Sequence, residues 1–250
     1  MINNNIIKSV DNALYTLLSN EMGLFRQIEV VADNLANGDT VGFKNKTMIF
    51  KEFTTKENNK TKLSLSNDIS TILNMDDGPI QMTNKLFDLA IHGKGFFRIR
   101  TPLGEAYSRA GNFTINQDGF LVTHLGHPVL NSGGDTIVFE GRIIDIKVNK
   151  NGDIIVNNTV ADQIGIADFV DPKFLTPIGS SLFTIGDATL QDSTGNYEII
   201  QGALEHSNVN RIKELSYSIE VQRAANSTVN LINSIDSTEK SLIKNILKLD

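Results

Sequence analysis

Glycine and proline are crowded into the middle of this chain. All five prolines lie between Pro79 and Pro177, and 16 of the 19 glycines fall within residues 78–202. Gly23, Gly38 and Gly42 precede that block, and none follows Gly202. Both residue types are poor in helix interiors and frequent in turns. The ends therefore read as helices and the middle as short strands joined by turns.

At the N-terminal end, Leu14, Leu17, Glu21, Leu24, Ile28, Val31 and Leu35 follow an alternating three-four spacing, apolar but for Glu21. That is a one-sided helical seam of the coiled-coil kind. Ser9 or Asp11 can cap its start, and Asn37-Gly38 supplies a left-handed stop. A helix from about residue 10 to 37 would run roughly 40 Å. At the other end, Ser207 or Asn208 opens a stretch free of Gly and Pro. Ile212, Leu215, Ile219, Ala225, Val229, Ile232, Ile235, Leu242, Ile246 and Leu249 recur there at helical spacing, with gaps at Gln222 and Glu239. Two such helices cannot bury their stripes alone, so they are expected to pair with each other or with copies of themselves.

Residues 44–76 are rich in lysine and asparagine, with weak apolar runs at 48–53 and 63–73. Lys44, Lys46, Lys51, Lys56, Lys60 and Lys62 outnumber Glu52 and Glu57, which suits a solvated connecting arm. In the middle block Phe87, Leu89 and Ile91 alternate with Asp88 and Ala90. Two hairpin patterns, Ile115–Val122 and Val148–Val156, place Asp118-Gly119 and Asn151-Gly152 at their turns. The expected class is α+β: long terminal helices forming a coiled-coil-like layer, with an antiparallel β-rich domain inserted between them. The expected boundaries are 1–43 with 204–250 for the helices, 44–77 for the arm and 78–203 for the β domain.

Composition narrows function mainly by exclusion. A net charge of −6 argues against a general nucleic-acid binder, and the absence of cysteine removes disulfides, thiolate metal sites and cysteine nucleophiles. The first 15 residues lack the basic start and apolar run of a cleaved signal, and no window approaches a membrane span. Gly93-Lys94-Gly95 continues into Phe96-Phe97-Arg98, which matches neither a dinucleotide fingerprint nor a P-loop. His124 and His127 flank Leu125-Gly126 and lack an identifiable third metal ligand, so two imidazoles on a turn is the favoured reading. Lys240, Lys244 and Lys248 line a helix face, but residues 204–250 carry six acidic and six basic side chains, which fits a packing helix better than a membrane anchor. No enzyme, cofactor or metal is expected.

Four stretches together resemble the flagellar basal-body rod proteins, within the wider rod and hook group. The first is Asn12-Ala13-Leu14-Tyr15 followed by residues 33–44, where Asn34, Ala36, Asn37, Thr40, Gly42, Phe43 and Lys44 fall on the family's N-terminal pattern. The second is residues 77–97, carrying Asp88, Ala90, Ile91, Gly93, Gly95 and Phe96. The third runs from Tyr107 to Phe113 with Arg109 and Gly111, continuing through residues 118–130. The fourth is residues 201–210, with Ser207, Asn208 and Val209, leading into a helix with Gln222-Arg223-Ala224. Ala225 and Asn226 depart from the aromatic and Glu usual there. Length and the Asn-Ala-Leu-Tyr opening favour the type beside the distal rod over its distal-rod relative.

The resemblance implies a non-enzymatic subunit of the rod, the driveshaft that crosses the periplasm. It implies export through the flagellar type III apparatus without a cleaved signal. It also implies partners among copies of itself and the neighbouring proximal and distal rod proteins, with no nucleic acid and no membrane insertion. The apolar positions Leu14, Leu17, Leu24, Ile28, Val31 and Leu35, with Ile212, Leu215, Ile219, Val229, Ile232 and Ile235, are the expected assembly interface. Two other classes compete with this reading. A small hydrolase using His124, His127 and a nearby Asp would need those groups to converge in a pocket. A secreted β-rich binding module would form a closed oligomer in solution.

Overall fold

The computed structural model describes residues 2–57, 61–141, 143–191 and 196–246. The chain forms two compact units. One comprises residues 1–35, 46–72 and 210–250, and the other residues 36–45 and 73–209.

The first unit holds helix α1 (Ile2–Ala36), strands β1 (Lys46–Glu57) and β2 (Thr61–Leu73), and helix α2 (Arg211–Ile246). Asn37 and Gly38 follow α1, so the helix stops at the expected place, but neither takes the expected left-handed conformation; the first positive φ after the helix is that of Gly42, at +66°. The arm is regular rather than a solvated loop: its two apolar runs fall on β1 and β2, which pair as a two-stranded ribbon. The side chains of Lys51, Lys56, Lys60 and Lys62 lie outside the described residues, as do those of Leu242, Lys244, Ile246, Lys248 and Leu249.

The helices fit the α+β class, but the coiled-coil-like layer does not form. Gln27 donates to the Tyr217 hydroxyl and Asn34 to Glu214, so the last turns of α1 lie beside the first turns of α2. A continuous seam would bury both apolar rows. Instead only Val31 of the α1 row is fully buried, while Ile212, Leu215 and Ile219 are 81%, 52% and 46% exposed. The buried row of α2 is Val221, Ala225 and Thr228. Val221 could serve as a knob, but Ala225 is too short and Thr228 too polar to continue a seam. The Thr228 hydroxyl bonds back to the Ala224 carbonyl at 3.1 Å, satisfying itself within the helix.

The second unit is built from fifteen strands among the described residues: β3 (Ile80–Met82), β4 (Leu89–Gly93), β5 (Phe96–Thr101), β6 (Gly104–Ser108), β7 (Phe113–Ile115), β8 (Leu121–Thr123), β9 (Ile146–Val148), β10 (Asp153–Val156), β11 (Thr159–Gln163), β12 (Ile166–Phe169), β13 (Thr176–Gly179), β14 (Leu182–Thr184), β15 (Leu190–Gln191), β16 (Tyr197–Gln201) and β17 (Ala203–Glu205). Its largest sheet has the antiparallel order β13-β14-β6-β5-β12-β15. Both expected hairpins form, as β7 with β8 and β9 with β10. In the first, the Asn116 side chain accepts from the Asp118 and Phe120 amides at 3.0 and 2.9 Å while Gly119 takes a φ of +84°. The last two strands return to the first two, β17 pairing with β3 and β16 with β4.

The central strands of this sheet carry apolar side chains on both faces. The two-residue period sends Phe97 and Ile99 of β5 and Ala106 of β6 into one cluster with Phe113, Leu121, Val129, Ile137 and Ile164. It sends Phe96 and Tyr107 into another with Phe169, Leu175 and Phe183. Edge-to-face contacts organise the second cluster, Tyr107 on Phe169 at 4.9 Å and Phe96 on Phe169 at 5.7 Å. At the sheet's edge, β13 is exposed along its length, contains Pro177 and is broken by a register shift between Pro177 and Gly179.

Burial pushes the Tyr107 phenol up to about 12, and the Glu105 carboxylate adds to the rise. An unfolded phenol ionises near 10. Because the unfolded chain loses its proton first, stability present below pH ~10 should drain away as pH rises toward 12. Tyr107→Phe should lose less stability across that window than the unsubstituted chain in denaturant titrations. Parallel losses would contradict this assignment.

Candidate functional site

The chain passes between its units next to residues 36, 45, 73 and 209. Three of these joints are fastened together inside the β unit. Lys44 is 1% exposed, and its ammonium donates to the Glu205 carboxylate at 2.8 Å and the Asp76 carbonyl at 2.7 Å. Glu205, also 1% exposed, accepts from the Gly78 amide at 2.9 Å and from the Arg109 guanidinium at 3.2 Å. Arg109 further bonds the Gly93 and Ile91 carbonyls, reaches half-exposed Asp77 at 3.4 Å and lies over the Phe96 ring at 5.0 Å. Two cations thus face two carboxylates, so the cluster is neutral. Burial pushes the Lys44 ammonium below the usual lysine range and Arg109 adds to the depression, while Glu205 opposes both.

Asn208 staples the same joints through its amide. Its oxygen accepts from the Asn45 amide at 2.7 Å, and its nitrogen donates to the Asn74 and Asp76 carbonyls at 3.0 and 2.9 Å. Asn74 in turn donates its backbone amide to Asn45 at 2.8 Å. Two glycines allow the backbones to meet here. Gly42 has a φ of +66°, donates to the Glu205 carbonyl at 2.8 Å, and would place a Cβ 2.2 Å from the Ala110 amide nitrogen. Gly111 would place one 1.7 Å from the Leu89 carbonyl oxygen.

The structure therefore gathers Gly42, Phe43, Ile91, Gly93, Phe96, Arg109 and Asn208 of the motif positions around one cluster. Others serve nearby or elsewhere. In the helical unit, Asn34 is 1% exposed and brackets Lys46, accepting its amide at 2.9 Å and donating to its carbonyl at 2.8 Å. Asn37 accepts from the Thr40 hydroxyl at 3.1 Å, closing the turn after α1. In the β unit, Ala90 is buried in β4, Gly95 takes a φ of +120°, and Ser207 accepts from the Val209 amide at 3.3 Å. Asp88 is buried, and its Oδ2, like Arg109 Nε, has no hydrogen-bond partner among the described residues.

Sequence reasoning missed Glu205, Asp77 and the burial of Lys44. The available signal was a charged residue directly after Ala203 and Leu204, both of which are buried. His124 is exposed on the turn between β8 and Pro128, and no group of His, Asp or Glu that could hold a metal occurs among the described residues. No described helix is long and apolar enough to cross a membrane.

On the helices, residues outside the expected interface stand out. Tyr15, Leu18, Met22 and Phe25 follow a three-four-three spacing on α1 and are 64%, 48%, 58% and 52% exposed. With Ile212, Leu215 and Ile219 they form apolar rows on both helices that remain 46–81% exposed. Leu14, Leu17, Leu24, Ile28, Leu35, Val229, Ile232 and Ile235 are half-buried. A β unit whose conspicuous polar groups grip its own joints, on a chain with uncovered helix rows, has the character of a structural building block.

Comparison with known proteins gives the class a family. Residues 14–44 match the flagella basal body rod protein family, residues 90–156 the flagellar hook protein FlgE/F/G D1 domain, and residues 200–245 the flagellar basal body rod FlgEFG protein C-terminal family. The flagellar basal-body rod protein FlgF of Caulobacter vibrioides is 32% identical over 96% of this chain and 100% of its own length. FlgF of Mesorhizobium japonicum is 32% identical over 95% and 98%. The rod protein FlgG of Bacillus subtilis is 30% identical over 92% and 97%. The chain belongs to the flagellar basal-body rod protein family and is of the FlgF type. It is a structural subunit of the basal body, acts there with other rod proteins, and is not an enzyme.

Proposed function

We propose that this subunit polymerises through its terminal helices into the part of the rod that crosses the periplasm, beside the distal rod. The observation that carries the reading is the pair of uncovered rows, Tyr15–Leu18–Met22–Phe25 and Ile212–Leu215–Ile219. Fully burying such side chains is worth roughly 1.5–3 kcal/mol each. Covering seven that are 46–81% exposed offsets the cost of ordering long helices only when neighbours are present. Half-buried Leu14, Leu17, Leu24, Ile28, Leu35, Val229, Ile232 and Ile235 become fully covered in the same step. A head-to-tail contact between unlike faces extends into a helical tube, as a shaft requires. The proposed neighbours are copies of itself and the proximal and distal rod proteins. The chain reaches them through the flagellar type III export apparatus, without a cleaved signal.

Hydrogen exchange tests this reading. In the free chain, amides of α1 and α2 should exchange quickly while those of the β5–β6 hairpin stay protected. In rods isolated from cells, the helix amides should become slow. Helices already strongly protected in the monomer would overturn the proposal.

A further inference from the structure

We infer that the β unit locks from its C-terminal end, with Glu205 as the counter-ion that admits Lys44 and Arg109 to the interior. Glu205 lies 161 positions after Lys44 and 96 after Arg109. It stands at the end of β17, the strand that pairs with β3 at the start of the unit. β16 returns in the same way to β4.

Without this last segment, Lys44 and Arg109 would have to be buried together. Asp77, their other acidic neighbour among the described residues, is 47% exposed, pairs directly with Arg109 at 3.4 Å and acts on Lys44 only as a minor through-space charge. Two buried cations without a buried anion are far better solvated by water, so the site stays open. The Gly42 amide, which donates to the Glu205 carbonyl, and the Gly78 amide, which donates to its carboxylate, are then unpaired as well.

A chain produced N-terminus first therefore carries an open β unit until residue 205 is free to dock. Local hairpins such as β5–β6 form earlier, because their partners are only a few residues apart. The lock separates local strand pairing from final closure. It keeps the joints loose for as long as the C-terminal end is held back. This inference does not depend on assembly through the helices.

Pulsed hydrogen exchange during refolding of the full chain tests it, comparing the unsubstituted protein with E205Q and K44M/E205Q. In the unsubstituted chain, the Gly42 and Gly78 amides should gain protection together with Ile199 and Gly202, after the β5–β6 hairpin. In E205Q, final protection at Gly42 and Gly78 should fall about a hundredfold or more, as expected for orphaned buried charge. Removing one cation in K44M/E205Q should return at least about tenfold of that loss. The inference is overturned if Gly42 and Gly78 are protected before Ile199 and Gly202, or if E205Q keeps full protection there. A double variant as open as E205Q also overturns it. Should E205Q not fold at all, recovery in K44M/E205Q supports the lock and its absence refutes it.

Discussion

Gly42→Ala should cost the β unit at least ~3 kcal/mol, among the larger losses a single methyl group can cause. Two effects combine. The φ of +66° is strained for any residue with a Cβ, at roughly 1 kcal/mol. The added carbon would also lie 2.2 Å from the Ala110 nitrogen, 2.5 Å from the Arg109 carbonyl carbon and 2.7 Å from the Ala110 Cα. These are backbone atoms and cannot rotate away. Either Gly42 retreats and breaks its hydrogen bond to Glu205, or Arg109 moves and uncouples the charge cluster. Thermal unfolding of the β unit should drop by about 10 °C. Gly126→Ala is the control, because its φ is +82° but nothing lies within 4 Å of the new carbon. It should show only the strain. Equal shifts for the two variants would mean that the close approach at Gly42 contributes nothing.

Leu18→Asp and Phe25→Asp should abolish swimming without changing the melting of the purified chain. Both side chains are about half exposed in the free protein, so a carboxylate there meets water and costs little. In the rod, a neighbour would cover the same position and an unpaired charge would be buried, a penalty of several kcal/mol per contact. That penalty repeats at each copy along the shaft. Val31→Asp separates the two roles. Val31 is 3% exposed within the subunit, so a carboxylate there penalises the ordered helical unit itself, whether or not a neighbour covers it. The test is swimming of a strain whose own copy has been replaced, together with the amount of each variant in isolated basal bodies. Full motility of Leu18→Asp and Phe25→Asp would end the assignment of this row to assembly.

The parts of the fold written in local chemistry were legible. The place where α1 ends, at Asn37-Gly38, and the turns at Asp118-Gly119 and Asn151-Gly152 need only immediate neighbours, although the left-handed backbone after α1 falls on Gly42 and not on Gly38. Helix periodicity was less informative. Spacing identified Ile212, Leu215 and Ile219 as a row, but a row does not say whether it faces the chain's own interior or something outside. The true buried row of α2, Val221–Ala225–Thr228, is nearly invisible to a search for large apolar residues. The ribbon of β1 and β2 was hidden by its lysines and asparagines, which masked two runs of strand formers. Of the charge cluster, Lys44, Arg109 and Glu205 all lay in recognised stretches, and a charge after Ala203-Leu204 was visible, but none of the three carried a mark of its partner. Pairing across 161 positions leaves none.

The exposed edge strand β13 bears on what a polymer must avoid. Subunits fixed in a tube meet at effective concentrations near the millimolar range or above. An unguarded strand edge under such crowding invites runaway sheet extension from one copy to the next. Pro177 withholds a donor, and the register shift beside it bends the remaining groups out of line. Main-chain pairing along that flank is thereby made less favourable. On the proposed polymerisation, this edge disfavours sheet pairing between neighbouring subunits, so growth proceeds by placing separate pieces.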